Sequence, residues 1–195
     1  MAKLYFRYGA MNSGKSTALL QVAYNYEERG MRVLLLKPSV DTKGEASVVG
    51  RIGVSRTVDM LVDTELDVRA LIAQWSKDVE KIDCILVDEA QFLTPAQVDQ
   101  LLELTIYENI PVLCYGLRTD FKRQLFPGSQ RLLATAHDLE ELKTICRCGK
   151  KAIFVGRKIN DIFVFEGSQV AIDGDEQVSY ESLCASCYFT LSSQP

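Results

Sequence analysis

A chain of 195 residues that is 47% apolar and 25% charged has the balance of one globular domain, or of one with a small appendage, and it is long enough to bury a real core. A formal charge of −4 with a single histidine argues against a surface that wraps a nucleic-acid polymer, which takes its affinity from a basic stripe, so a small ligand is expected. No apolar run reaches the length of a membrane span and no targeting segment precedes the first motif, so no membrane partner and a cytoplasmic setting are expected.

The stretch KLYFRYG reads as a short strand running into a glycine-rich loop, and residues 15–29 read as a helix closed near Gly30. MRVLLLKP has the unbroken apolar character of a buried parallel strand. Residues 41–57 mix Gly, Ser, Thr and charge without a period and are expected to form a mobile loop with one short strand. Helical spacing returns over residues 66–79. DCILVDEA is a second apolar strand ending in acids, Thr94 caps a helix over residues 95–108, and IPVLCYGL is a third strand. Apolar strands alternating with helices imply an α/β fold whose parallel sheet is covered on both faces. After about Leu142 the character changes. AIFVGR, DIFVFEG and QVAID read as short strands separated by polar turns, which divides the chain into residues 1–142 and a small second module, 143–195.

Gly9, Ala10, Met11, Asn12, Ser13, Gly14, Lys15 and Ser16 satisfy the phosphate-loop pattern G-x-x-x-x-G-K-[ST]. Its glycines let successive backbone N–H groups turn inward, and the helix that follows adds its positive end, so anionic phosphate is held without bulky side chains. Lys15 would reach the outer phosphates and Ser16 would ligate Mg²⁺; the plainer alternative is a tight structural turn. CILVDE supplies the second element. Asp88 stands where phosphate-loop proteins carry a metal-holding acid, and Glu89 follows it. Successive residues at a strand end diverge, so one carboxylate can face the metal and the other an acceptor. Two solvated acids opening a loop is the alternative.

The six cysteines fall into two kinds. Cys84 and Cys114 lie in apolar runs and read as buried reduced thiols. Cys146 with Cys148, and Cys184 with Cys187, form two close pairs suited to structural Zn²⁺, although one intervening residue in the first pair is shorter than usual. Disulfides are the rival reading, disfavoured in the cytosol.

Taken in order, GAMNSGKST, LVDEAQFL, PVLCYGLRTDF, LKTICRCGKKA and SYESLCASCYF closely resemble the zinc-containing thymidine kinases of bacteria and animal cytosol, over nearly the whole chain. The resemblance implies a P-loop, RecA-like α/β domain joined to a small zinc ribbon that carries a lasso loop. It implies transfer of the γ-phosphoryl group of ATP to the 5′-hydroxyl of thymidine, and of deoxyuridine as well. Under it, residues 9–16 with Asp88 and Gln91 form the ATP site, Glu89 is the catalytic base, and Asp88 acts on Mg²⁺ through water. The lasso spans about residues 156–180, with Gln169, Val170, Ala171, Ile172 and Asp173 nearest the nucleoside and Tyr180 beside it. Met11, Phe92, Leu117 and Phe121 supply apolar walls, although for Phe92 and Leu117 the residues alone favour plain core packing. Arg118 and Asp120 lie close by without an assigned role. A homotetramer and feedback inhibition by thymidine triphosphate are also implied. The chain departs from the family pattern at Asp173, where a glycine is usual, with two extra residues before Tyr180; at Ala185, where arginine is common; and in the short CRC spacing. Two other classes remain open: a P-loop ATPase coupled to nucleic acid through the ribbon, and a nucleotide sensor without catalysis.

Overall fold

The structure is a computed structural model that describes residues 1–39, 46–50, 53–78, 81–169 and 177–193. In chain order the elements are β1 (Leu4–Gly9), α1 (Lys15–Glu27), β2 (Val33–Pro38), β3 (Ser47–Val49), β4 (Ser55–Thr57), β5 (Met60–Val62), α2 (Val68–Asp78), β6 (Cys84–Val87), a 3₁₀ turn (Ala90–Phe92), α3 (Pro95–Tyr107), β7 (Val112–Leu117), α4 (Pro127–Thr135) and β8 (Asp138–Glu141). The second module follows with β9 (Thr144–Ile145), β10 (Lys151–Ala152), β11 (Phe154–Ile159), β12 (Ile162–Val164), β13 (Val178–Leu183) and α5 (Ala185–Ser192).

Six strands form one sheet in the order β5-β2-β6-β7-β1-β8, every neighbour parallel. The reason is visible along β2, whose six residues are all buried. Leu34 and Leu36 enter one apolar cluster, packed with Val98, Leu101 and Leu104 of α3, Val68 and Ile72 of α2 and Leu132 of α4. Val33 and Leu35 enter another, with Leu19, Leu20 and Ala23 of α1. Period-two alternation therefore feeds two cores, and helices cover both faces as the apolar strands require. Because β7 lies between β1 and β6, the glycine loop after β1 and the acids after β6 emerge on the same edge of the sheet, one strand apart.

Thr94 caps α3 as expected: its Oγ1 accepts from the Gln97 N–H (3.2 Å), while the Gln97 side chain accepts from the Thr94 N–H (3.0 Å), with Pro95 at the first turn. Other expectations need correction. Helix α1 stops at Glu27 rather than Arg29, with Gly30 in the left-handed region beyond it. Within 41–57, two strands rather than one form an antiparallel hairpin, β3 with β4, and Val48 is driven into the core beside α1; residues 41–45, 51 and 52 lie outside the described residues. Strand β8 escapes a periodicity reading because it is an edge strand of Asp138, Leu139, Glu140 and Glu141, joined to β1 through the main chain. Helix α4 opens with Pro127 and Gly128, a pair that reads as a turn.

In the second module β11 is the middle of a three-stranded antiparallel sheet, β12-β11-β13, beside the β9-β10 hairpin. Its third strand is Val178–Leu183; of the expected strand QVAID, Gln169 is a bend and residues 170–173 lie outside the described residues. Its core gathers Ala152, Leu183 and Tyr188 with Phe154, Phe163 and Phe165 around two of the cysteines, Cys146 and Cys184. The two parts meet closely: the Tyr188 hydroxyl donates to the Phe121 carbonyl at 2.6 Å.

Helix α4 can approach the 3₁₀ turn only because residue 128 has no side chain. A Cβ there would stand 2.7 Å from the Leu93 carbonyl oxygen and 2.9 Å from that of Gln91, both of them backbone. Gly128→Ala should therefore cost about 1–3 kcal/mol and lower the melting temperature by roughly 2–4 °C per kcal/mol; an unchanged thermal midpoint would show that the contact is not tight.

Candidate functional site

The site begins where β1 ends. At Gly9 a Cβ would lie 2.6 Å from the Leu142 carbonyl oxygen, so only glycine lets the chain pass. Asn12 and Gly14 both take positive φ, 65° and 80°, which turns the loop back into α1. The Lys15 side chain folds into this loop: it is buried, and its Nζ donates to the Ala10 carbonyl oxygen at 2.9 Å and reaches Ser13 Oγ at 3.5 Å. Residues 11–17 line a depression of about 130 Å³ that Val49 and Glu89 complete. Glu89 thus faces the phosphate loop across the gap between strands. Val49 came from no sequence signal, because it arrives on the β3-β4 hairpin.

Asp88 is buried at the end of β6. Burial, with the Glu89 carboxylate next to it, pushes its carboxyl up to about 7, against the opposing pull of Lys37 and Lys15. Glu89 is half-buried and sits in the left-handed region, φ 48°, a conformation that costs a non-glycine residue about 1–3 kcal/mol. Its carboxylate accepts from Gln91 Nε2. Gln91 is itself buried, and its Oε1 accepts from the Leu117 N–H at 3.0 Å. The carboxamide lies close to residue 116, where a Cβ would stand 2.7 Å from Gln91 Oε1. Gln91 therefore bridges Glu89 to the end of β7 rather than reaching out to the phosphate loop.

Ala10, Leu117, Phe126 and Val155 form one buried cluster, with Met11, Phe92 and Tyr180 packed against it. Phe92 and Phe126 meet edge to face, ring centroids 5.5 Å apart. Met11, Phe92, Leu117 and Tyr180 are thus brought together as the sequence reading groups them, and Phe126 and Val155 are additions. Val155 belongs because β11 pairs with β13, which the sequence did not reveal as a strand. Phe121 is buried alongside, its ring 3.8 Å from the Arg157 guanidinium. Asp120 is also buried: Oδ1 accepts from the N–H groups of Lys122 and Gln124, each at 2.8 Å, and Oδ2 accepts from Gln169 Nε2 at 3.1 Å. Arg118 stands over the Tyr8 ring at 6.0 Å. Val170, Ala171, Ile172 and Asp173 lie outside the described residues.

Some distance along the second module, Cys146, Cys148, Cys184 and Cys187 converge. All four are free thiols, and their sulfurs lie within 4.8 Å of one another, with Cys148 and Cys184 at 3.5 Å. Four sulfurs each about 2.3 Å from one tetrahedral ion would stand roughly 3.8 Å apart, so the set is compatible with a structural zinc site. The Cys187 N–H donates to Cys184 Sγ at 3.4 Å, as a thiolate ligand invites, and Gly149 at φ 82° turns the first pair back into β10. The short CRC spacing is no obstacle.

A family model described as thymidine kinase matches residues 2–188. The chain belongs to the thymidine kinase family. It is 52% identical to a thymidine kinase of Legionella pneumophila (strain Paris) over 186 residues, 94% of this chain and 88% of that one. It is 50% identical over 190 residues to a thymidine kinase of Photorhabdus laumondii, covering 96% and 92% of the two chains. Against the thymidine kinase of Enterobacteria phage T4 the identity is 49% over 186 residues, 94% of each. Among the described residues, no helix is long and apolar enough to cross a membrane.

The raised Asp88 carboxyl gives this enzyme a pH signature. A carboxyl near 3.8 in the unfolded chain and about 7 in the folded one keeps its proton in the folded state across that window. The folded state then holds more protons than the unfolded state, so the Asp88 contribution to stability is present below the unfolded value and is lost as pH rises through about 7. Urea midpoints of nucleotide- and metal-free protein should fall between pH 5 and 7.5, and Asp88→Asn should flatten that slope; an equal slope in the variant would contradict the raised carboxyl.

Proposed function

We propose that the enzyme transfers the γ-phosphoryl group of ATP to the 5′-hydroxyl of thymidine, and of deoxyuridine, giving the nucleoside monophosphate and ADP. The observation that carries this reading is Glu89 facing the phosphate loop across a depression floored by Lys15, beside the apolar cluster of Met11, Phe92 and Leu117. The backbone of residues 9–16 holds the phosphates, and Lys15 neutralises charge on the transferred group. Ser16 and the buried Asp88 carboxyl would hold the Mg²⁺ that accompanies ATP, which would supply further charge neutralisation. Glu89 accepts the 5′-hydroxyl proton as the oxygen bonds to the γ-phosphorus and the bond to the β-bridging oxygen breaks. Gln91 holds Glu89 in place. A flat methylated base fits the apolar wall of Met11, Phe92, Leu117 and Phe121 beside Tyr180, and main-chain groups of residues 169–173 read its edge.

The remaining elements of the reading follow the family. Residues 1–142 act as the nucleotide-binding domain and 143–195 as the substrate-closing one. Zinc held by the four cysteines serves to fold a module with little core of its own. A cytoplasmic homotetramer, inhibited by thymidine triphosphate lying across both subsites, completes it, with neither nucleic-acid polymer nor membrane as partner.

The test is transfer of labelled γ-phosphate from Mg·ATP to thymidine, deoxyuridine, deoxycytidine or no acceptor. Labelled thymidine monophosphate is expected, and Glu89→Gln should bind both substrates while losing turnover by about 10²–10⁴-fold. DNA- or RNA-stimulated hydrolysis without acceptor preference would support the ATPase class instead, and near-normal turnover in Glu89→Gln would remove that residue from the base role. For the second module, metal analysis should find one zinc per chain, lost in Cys148→Ser and Cys187→Ser with loosening of residues 143–195; intact protein without zinc would sink that role.

A further inference from the structure

Arg157 is 95% buried at the middle of β11, yet among the described residues none of its hydrogen bonds goes to a carboxylate. Its Nη1 donates to the Ser168 carbonyl oxygen at 2.9 Å and its Nη2 to the Glu166 carbonyl oxygen at 2.7 Å. The guanidinium lies 3.8 Å from the centroid of the Phe121 ring, and among the described residues its Nε has no hydrogen-bond partner. The segment it holds is shaped to receive it: Gly167 takes φ 109°, and a Cβ there would meet Arg157 Nη2 at 2.7 Å. From the other side, Lys122 Nζ donates to the Gly167 carbonyl oxygen at 2.8 Å, and Gln169 Nε2 donates to Asp120 at 3.1 Å.

A buried cation with one unpartnered N–H and carbonyl partners only is a poor device for stability, because its desolvation is not offset by an opposite charge. What it fixes is position. Only a planar fork with several donors can bind two carbonyls of one short segment while stacking on an aromatic face. The two things it joins, the Phe121 ring and the backbone of residues 166–168, come from different parts of the chain and belong to the same proposed nucleoside site.

We propose that Arg157 is a positioning residue for nucleoside binding, fixing the Glu166, Gly167 and Ser168 backbone and the Phe121 ring relative to each other. This rests on the thymidine-phosphorylating reading given above. Arg157 touches neither the phosphate loop nor Glu89 by any of its hydrogen bonds, so its removal should act on the acceptor and not on the donor.

The experiment uses the full chain as wild type, Arg157→Lys and Arg157→Met. Steady-state kinetics with thymidine and ATP varied separately should show the KM for thymidine raised about tenfold or more in both variants. The KM for ATP should stay within twofold, and kcat should change by less than the thymidine KM. Lysine should not rescue, since an ammonium cannot bridge two carbonyls and stack at once. Hydrogen exchange without substrates should show faster exchange in the peptide covering 162–169, with unchanged protection in β1 and α1. An unaltered thymidine KM, rescue by lysine, or a parallel loss for both substrates would overturn the proposal. Should wild-type protein not phosphorylate thymidine at all, the functional reading fails; the exchange result then decides separately whether Arg157 fixes the segment.

Discussion

The join on which the site depends is the Gln91 carboxamide laid against Gly116. One end takes the Leu117 N–H and the other holds the Glu89 carboxylate, so a single buried amide fixes the acid relative to the sheet. Both ends must be occupied, because a buried amide left unbonded costs about 1–3 kcal/mol. Neighbouring features share this constraint. Residue 116 has no side chain so that the amide can lie close, residue 128 has none so that α4 can close over the turn, and the Ser129 hydroxyl donates to the Leu117 carbonyl at 2.5 Å from the same helix. Glu89 can hold its left-handed backbone because the surrounding contacts leave no easier arrangement.

The parallel sheet and the phosphate loop were legible because their signals are local. Apolar runs over β2, β6 and β7 say that both faces are covered, and G-x-x-x-x-G-K-S says where the chain turns. The capping box at Thr94 is likewise contained within four residues. What escaped notice depends on pairing across distance. Strand β13 alternates weakly, with Val178, Tyr180 and Leu183 the larger apolar residues, and it becomes a strand only when β11 is beside it. Val155 could not be placed in the apolar wall until that pairing was known. Gln91 shows another limit of sequence: next to the acids it is grouped with the phosphate site, and only the structure shows it buried, with its amide bonded to Glu89 and to the Leu117 N–H.

Several contacts among the described residues join the two modules. Tyr188 bonds the Phe121 carbonyl, Arg123 lies 5.2 Å from the Tyr188 ring and the Arg157 guanidinium stands 3.8 Å from the Phe121 ring. The cysteine cluster shares no residue with the depression beside Lys15. Its part in the fold is to fix β13 and α5 against β9 and β10, since Cys184 opens α5 and Cys146 follows β9.

The Ser182 hydroxyl donates to the Met11 carbonyl, and Thr144 Oγ1 approaches the Asn12 carbonyl at 3.5 Å. In a trans peptide the C=O and the N–H that follows it point in opposite directions. Drawing the oxygens of residues 11 and 12 toward the second module therefore aims the N–H groups of Asn12 and Ser13 the other way. The small module, far from being only an attachment, sets the direction in which the N–H groups at residues 12 and 13 of the large one point.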